Sequence, residues 1–272
     1  MLPALSTAVT GLQEFQQDID LIGNNIANVN TTGFKSSRAD FEDTFSQTLR
    51  SNVTVGSGVT MASTSKNFGQ GTINTNTGVG TDLAVSGNGF FVVRDTGDNA
   101  SFVTRAGDFH VDASGYLVTN EGYRVQGYSD AGLATLGDLK IDTTGAPATA
   151  TPGATVTSFS IDTSGKINVT LSDQTTFVRG QVLLQNFSNS GALVPQGQNL
   201  YSAPPAAGGL AQAAAAQTNG LGTIQSGALE MSNVDLATEM ADLITAQRAF
   251  EANAKIITTG DEVLQNLVNM KR

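Results

Sequence analysis

Apolar residues recur every three or four positions near the start of the chain. They form a stripe of Leu5, Val9, Leu12, Phe15, Ile19, Ile22 and Ile26. This spacing puts their side chains on one face of an α-helix. A cluster of turn-forming residues follows at 28–33 and ends the pattern. The sequence therefore predicts an amphipathic helix over residues 5–27, about 35 Å long.

The end of the chain carries a longer pattern of the same kind. Its positions alternate steps of four and three through Leu236, Met240, Leu243, Gln247, Phe250, Ala254, Ile257, Asp261, Leu264 and Val268. Eight of these ten residues are apolar, and a repeat near 3.5 residues indicates a coiled-coil seam. Ser232 or Asn233 is expected to cap the helix. Gly260 is its weak point, at a cost of about 1 kcal/mol relative to Ala.

Each helix alone would leave its apolar stripe in water. The simplest arrangement pairs the two, antiparallel or side by side, so that each covers the other. Long seams of this kind usually serve assembly, but a pair that merely closes the core of a monomer fits the pattern too.

The residues between the helices follow a β pattern. Short apolar runs such as 90–93 and 181–184 are bounded by Gly, Asn or Asp. One unit occurs twice, in 109–118 and 159–167: an aromatic and a β-branched residue, then Asp-x-Ser-Gly, then a second apolar run. Glycine supplies the positive φ that a tight turn needs, so two similar β-hairpins are expected.

The fold class predicted from these patterns is α+β, with terminal helices forming a coiled-coil-like pair around an all-β, hairpin-rich centre. Residues 1–30 would form the first helix and 31–70 a connecting segment. Residues 71–222 would form the β domain, in which 129–158 are a flexible connection rich in Ala, Thr, Gly and Pro. Residues 223–272 would hold the second helix.

Composition narrows the class of protein. The net charge is −10, from 24 acidic and 14 basic residues, which argues against a nucleic-acid partner. Charged residues are only 14% of the chain, against about 25% in ordinary soluble domains, as expected for a protein packed against copies of itself. No cysteine is present, so disulfides and thiolate chemistry are excluded. No segment has the length and apolarity of a membrane span, and the N-terminus does not resemble a cleavable signal.

Three features suggest chemistry and are better explained as structure. Asp95-Thr96-Gly97 matches the aspartic-protease triplet, but Asp and Gly punctuate turns throughout this chain. Gly87-Asn88-Gly89 lacks the third glycine of a dinucleotide fingerprint and is predicted to be a hairpin turn. His110, the one histidine, has no spaced partner to orient it as a general base. The sequence thus predicts no enzyme, no catalytic residue, no cofactor and no metal site.

Three motifs resemble the family of bacterial flagellar rod and hook axial proteins. The first, NNIANVNTTGFK, contains Asn24, Asn25, Asn28, Gly33 and Phe34. The second, DLAVSGNGFF at 82–91, is similar to the opening strand of that family's β domain. The third combines SNVDL and QRAFEAN, with Asn233, Val234, Asp235, Gln247 and Arg248. The three occur in the family's order and cover nearly the whole chain.

Within the family the chain most resembles the hook protein. LEMSNVDL at 229–236 and VLLQNF at 182–187 are hook-like, and the stretch after Phe45 is short for the extra segment of the distal rod protein. One departure is that 129–158 are too few residues for the outer β domain that hook proteins usually carry. A distal rod subunit is therefore the alternative, a monomeric adhesin or binding module is the alternative of a different class, and an acid protease is a third.

The resemblance implies a structural role. Subunits would leave the cell by flagellar type III export without a cleaved signal, then polymerise into a helical tube that transmits torque and conducts later subunits. The implied partners are other copies of the chain, other axial proteins of the rod, hook cap and hook–filament junction, and the export apparatus. Nucleic acid and membrane insertion are not expected. The implied location is the extracellular hook, or the periplasmic rod in the alternative.

Overall fold

The computed structural model describes residues 2–44, 46–50, 53–208 and 213–270. The chain divides into two compact units. Unit 1 comprises residues 1–29, 35–67 and 234–272, and unit 2 comprises residues 30–34 and 68–233.

Unit 1 contains both long helices and a β-hairpin. Its elements are α1 (Leu2–Ala27), β1 (Ser37–Asp43), β2 (Ser46–Arg50), β3 (Val53–Gly56), β4 (Val59–Lys66) and α2 (Leu236–Met270). Strand β1 pairs antiparallel with β4, and β2 with β3. Phe41 of β1 packs on Phe15 of α1, with ring centroids 6.1 Å apart. Both helices predicted from the apolar repeats are therefore confirmed.

Helix α2 begins with a different cap from the one predicted. The Asp235 carboxylate accepts the Ala237 N–H at 2.9 Å, and the Asp235 carbonyl accepts the Glu239 N–H. Asp235 is thus the N-cap in place of Ser232 or Asn233, because it immediately precedes Leu236, where the helix begins, and its side chain reaches a free N–H of the first turn.

Unit 2 is built of short antiparallel strands. They are β5 (Ile73–Thr75), β6 (Leu83–Ser86), β7 (Phe90–Arg94), β8 (Ser101–Thr104), β9 (His110–Val111), β10 (Leu117–Val118), β11 (Arg124–Tyr128), β12 (Leu136–Asp138), β13 (Val156–Ile161), β14 (Lys166–Leu171), β15 (Thr176–Gln185), β16 (Val194–Gly197), β17 (Leu200–Ser202), β18 (Ala214–Ala215), β19 (Thr223–Ser226) and β20 (Ala228–Glu230). Twelve strands form one sheet with the main path β13-β14-β15-β11-β7-β8-β17-β16. Two further pairs are β6 with β19 and β5 with β20.

Two apolar clusters fill unit 2. The larger one includes Phe91, Val125, Ile167 and Leu184, all fully buried. The smaller one is aromatic and centres on Phe90, Phe187 and Tyr201, and burial raises the pKa of Tyr201 to about 12. Residues 90–93 and 181–184 lie in strands of this sheet and are almost all buried, which explains why both runs are nearly continuously apolar.

The two predicted hairpins are confirmed and share one turn geometry. Asp112 Oδ1 accepts the N–H groups of residues 114 and 116 at 2.8 Å, between β9 and β10. Asp162 Oδ1 accepts those of residues 164 and 166 at 2.9 Å, between β13 and β14. Gly115 and Gly165 both have φ near +85° (87° and 84°), the region that glycine tolerates best.

Residues 129–158 are attached to the rest of unit 2 at several points. They contain β12, and Ala146, Ala150 and Ala154 pack against the larger apolar cluster. Arg179 donates to the Asp142 carboxylate at 2.6 Å and to the Ser129 carbonyl.

Asn88-Gly89 does not form the hairpin turn predicted for it. The strands that it connects, β6 and β7, pair with other partners: β6 with β19, and β7 with β8, β11 and β15. The pair therefore links two different sheets. The turn-forming residues determine that the chain bends here, but the buried apolar faces of β6 and β7 determine which strands they pair with.

Candidate assembly interface

The two helices of unit 1 contact each other in antiparallel directions. A methyl group added to Gly260 would lie 2.8 Å from Leu5, and one added to Gly11 would lie 3.0 Å from Asn253. Asn25, at the other end of α1, bonds to Glu239. Small residues at the contact let the helix backbones approach closely, and this close approach sets which side chains the interface buries.

Not every residue of the predicted α1 stripe lies in this contact. Ile22 is buried, and Leu5, Leu12, Phe15, Ile19 and Ile26 are half-buried. Val9 is 44% exposed, while its neighbour Ala8 is 3% exposed. Ala8 and Gly11 are buried in its place, because the close approach favours small side chains over a β-branched one.

The contact face of α2 is also shifted from the predicted one. Leu243, Phe250 and Ile257 are half-buried as part of it, and Ala246 is buried where Gln247 had been placed. Leu236, Met240, Leu264 and Val268 are exposed, at 40%, 50%, 39% and 66%. The structure thus brings the middle of the predicted seam together and leaves both ends of α2 uncovered within one chain.

Asn25 connects three elements of unit 1. Its amide group donates to the Ser37 carbonyl at 2.7 Å and to the Glu239 carboxylate at 3.2 Å, and its carbonyl accepts the Ser37 N–H at 3.0 Å. The residue is 2% exposed. It fixes the end of α1 to the start of β1 and to the first turn of α2, which explains why the first motif needs an amide here.

A groove of about 250 Å³ opens beside this junction, between α1, β1 and α2. Asp18, Glu239 and Asp242 line it. Burial raises the pKa of Asp18, and Asp242 adds to the rise. Burial also raises the pKa of Glu239, the hydrogen bond from Asn25 opposes the rise, and Asp242 and Asp18 add to it. The groove is therefore a place where negative charge is poorly compensated.

Unit 2 has its own junction, which joins sequence-distant segments. Gly33 N–H donates to the Glu230 carbonyl at 2.8 Å, and Gly33 has φ +67°. The Glu230 side chain is fully buried and accepts from Arg105 at 3.1 Å and from the Gly71 N–H at 3.0 Å. Arg105 also donates to the Gly87 carbonyl at 2.9 Å. No apolar pattern signals such an ion pair, so sequence reasoning missed Arg105 and Glu230.

The remaining motif residues have separate roles. Asn28 bonds to the Asn24 carbonyl at 2.9 Å and ends α1, and Asn24 itself is exposed. Phe34 is buried, Val234 is half-buried, and Asn233 donates to the Gly69 carbonyl at 3.1 Å. Gln247 and Arg248 are exposed on α2, so no contact among the described residues accounts for their place in the motif.

The residues considered for chemistry are structural. Asp95 accepts the Gly97 N–H at 2.9 Å in the turn of the β7–β8 hairpin, as predicted, and His110 is exposed on β9. Across the described ranges, no group of His, Asp and Glu side chains is arranged to hold a metal ion. None of the described helices is long and apolar enough to cross a membrane.

Fold and contacts together define a β-rich α+β protein whose two terminal helices contact each other. Three family models match in chain order: "Flagella basal body rod protein" over residues 5–35, "Flagellar hook protein FlgE/F/G D1 domain" over 84–169 and "Flagellar basal body rod FlgEFG protein C-terminal" over 225–270. The chain belongs to the flagellar rod and hook family of axial structural proteins, which are not enzymes.

Several relatives match over their whole length. The chain is 41% identical to flagellar basal-body rod protein FlgG of Bacillus subtilis, covering 100% of both chains. It is 36% identical to FlgG of Caulobacter vibrioides, covering 97% of each. It is also 49% identical to the flagellar hook protein FlgE of Helicobacter mustelae, but over 47% of this chain and 31% of that protein.

Proposed function

We propose that this protein is a distal rod subunit of the flagellar basal body. The observation that carries the proposal is end-to-end similarity to basal-body rod proteins, which covers 97% to 100% of both chains. The hook relative, by contrast, has more than half of its length outside the match.

The preference for the hook drawn from sequence motifs is replaced by the rod alternative. It depended in part on the C-terminal segment, yet one family model of that segment serves hook and rod proteins together. Similar ends therefore do not discriminate between the two. The segment 129–158 is too short for an outer domain. It therefore favours the rod assignment, as the full-length relatives also do.

The subunit would polymerise through its terminal helices. Within one chain α2 leaves Leu236, Met240, Ile244, Val263 and Val268 exposed, and apolar surface of this extent on a helix favours burial against another protein. The face of α2 that contacts α1 repeats in steps of three and four, which supports the coiled-coil packing predicted for the pair. Head-to-tail contacts that do not close would extend into a helical tube.

The partners and the location follow from this role and are proposed with it. Neighbours would be other copies of the chain and the adjoining axial proteins of rod and hook. Export would use the flagellar type III apparatus without signal cleavage, and the finished tube would lie in the periplasmic part of the axis. A bundle of helices around the lumen would carry torque and let later subunits pass.

Localisation of an epitope-tagged copy tests the position along the axis. We expect immunogold label on purified basal bodies, retained in cells that make no hook. Label confined to the external curved segment and lost with the hook would reject the rod assignment. The insertion point for the tag is residues 152–153, an exposed turn of unit 2.

Assembly of the purified protein tests polymerisation itself. We expect concentrated protein to form tubes or helical oligomers by electron microscopy, and the pair Leu243→Ser and Phe250→Ser to abolish them. Leu136→Ser, at a half-exposed position of unit 2, is the matched control and should assemble normally. A persistent monomer would instead favour a monomeric binding module.

A further inference from the structure

The groove beside Asn25 has three walls of different character. Helix α1 supplies Phe15, Leu21 and Ile22, strand β1 supplies Ala39 and Phe41, and α2 supplies Thr245 and Ala246. Phe41 is 41% exposed at its rim. The groove is thus largely apolar and open, and its dimensions suit side chains projecting from one helix.

The charges that face the groove are unbalanced. Asp18 comes from α1, and Glu239 and Asp242 come from α2. Arg38 of β1 is the basic residue of the lining, and it forms an ion pair with Asp40 at 3.1 Å. Asn25 satisfies Glu239 in part. Within the described residues, neither Asp18 nor Asp242 has a hydrogen-bond or ion-pair partner.

The face of α2 that points away from α1 has the opposite character. Ile244 is 55% exposed, and Arg248 follows it four residues later on the same face and is also exposed. Lys255 lies seven residues beyond Arg248. In the part of the chain that the structure describes, neither basic residue forms an ion pair.

We propose that Ile244 and Arg248 of one copy dock into the groove between α1, β1 and α2 of the next copy, with the guanidinium bound by Asp18 and Asp242. The inference rests on the proposed polymerisation and specifies which surfaces meet. A second copy is the occupant because it presents an apolar side chain that can pack on the apolar walls and a basic one that can pair with the carboxylates. Arginine suits the site better than lysine, since its planar fork bonds two carboxylates at once.

This contact is heterologous, because the groove and the docking face are different surfaces of the same chain. In the proposed tube the rotation between successive copies does not close, so the contact repeats head to tail along it. It therefore propagates, and it assigns to Arg248 the role that the isolated subunit does not explain.

A charge exchange between copies tests the proposal. The variants are Arg248→Glu, Asp242→Arg and the two combined, with Lys255→Glu as a control of equal charge change on the same exposed face. Positions 242, 248 and 255 are all exposed in the chain, so each variant should fold. Far-UV circular dichroism checks the helices, and tyrosine fluorescence checks unit 2, which holds all four tyrosines.

Sedimentation then measures the critical concentration for polymerisation of the full-length protein. Each single exchange should raise it by about tenfold or more, and the combined variant should restore it to within about threefold of the unmodified protein. Lys255→Glu should stay within about threefold as well. Normal assembly of Arg248→Glu, or a combined variant no better than the single ones, would overturn this inference while leaving polymerisation intact. Failure of the unmodified protein to polymerise would overturn both.

Discussion

Removal of the Glu230 carboxylate should destabilise unit 2 strongly. In Glu230→Ala, Arg105 would keep its charge at 4% exposure, with the Gly87 carbonyl as its remaining hydrogen-bond partner and the Phe90 ring 5.0 Å away. The Gly71 N–H would lose its acceptor at the same time. Breaking a buried pair by removing one partner costs about 3–5 kcal/mol. With a urea dependence of about 2 kcal/mol per molar, the unfolding midpoint should fall by about 1.5–2.5 M.

Tyrosine fluorescence during urea titration is the assay, because all four tyrosines lie between residues 116 and 201, within unit 2, and the chain has no tryptophan. Glu121→Ala, at an exposed carboxylate of the same unit, is the control and should change the stability by less than about 0.5 kcal/mol. The double variant Arg105→Met with Glu230→Met removes both charges and should recover most of the lost stability.

Two results would refute the reasoning. A loss below about 1 kcal/mol in Glu230→Ala would mean that water or a shifted main chain compensates the guanidinium. A double variant as unstable as the single one would mean that packing, and not the unpaired charge, accounts for the loss.

Three further predictions concern the other junction residues. Gly33→Ala should lower the free energy of unfolding, measured by tyrosine fluorescence, by more than about 2 kcal/mol, since its Cβ would lie 2.4 Å from a backbone nitrogen. The control Gly78→Ala, with a similar φ but open space around the Cβ, should lower it by about 1 kcal/mol. Equal losses would contradict the steric explanation. Asn25→Ala should lower the thermal unfolding midpoint of the helices, followed by circular dichroism at 222 nm, because the half-buried main-chain groups of Ser37 in β1 lose their Asn25 partner. An unchanged midpoint would exclude the junction role. Because the pKa values of Asp18 and Glu239 are raised, the folded helices bind protons more tightly than the unfolded chain. The thermal unfolding midpoint of the helices should therefore rise as the pH falls from 7 towards 4.5, and Asp18→Asn should show a smaller rise. A midpoint that falls over this pH range would contradict the expected sign.

The sequence predicted the elements better than it predicted their contacts. Both helices and both Asp-x-Ser-Gly hairpins follow from local periodicity and turn chemistry, and the structure has them at the expected positions. The apolar repeat, however, selected Val9 and Met240, which are exposed. A hydrophobicity pattern ranks residues by the free energy of transferring their side chains out of water. The contact between the two helices instead contains residues that let the backbones approach closely, such as Gly11 and Gly260.

The polar junctions were beyond sequence reasoning for a different reason. Arg105 and Glu230 are 125 residues apart, and charged residues are rarely buried, so nothing local identifies them as partners. Asn25 offers a usable signal. It lies one helical step of three residues after Ile22 of the predicted stripe, and a polar side chain that is buried there must form a hydrogen bond.

Unit 2 closes on itself only when nearly all of the chain is present. The carboxylate that bonds to Gly71 comes from a residue 159 positions later, and β20 is the last strand to pair. A growing chain that has not reached Glu230 carries a guanidinium without its counter-charge and a strand, β5, without its neighbour. Loop closure over such separations is slow as well as late. Unit 2 can therefore complete these contacts only after Glu230 has been synthesised, and the proposed export of unfolded subunits would be compatible with this delay.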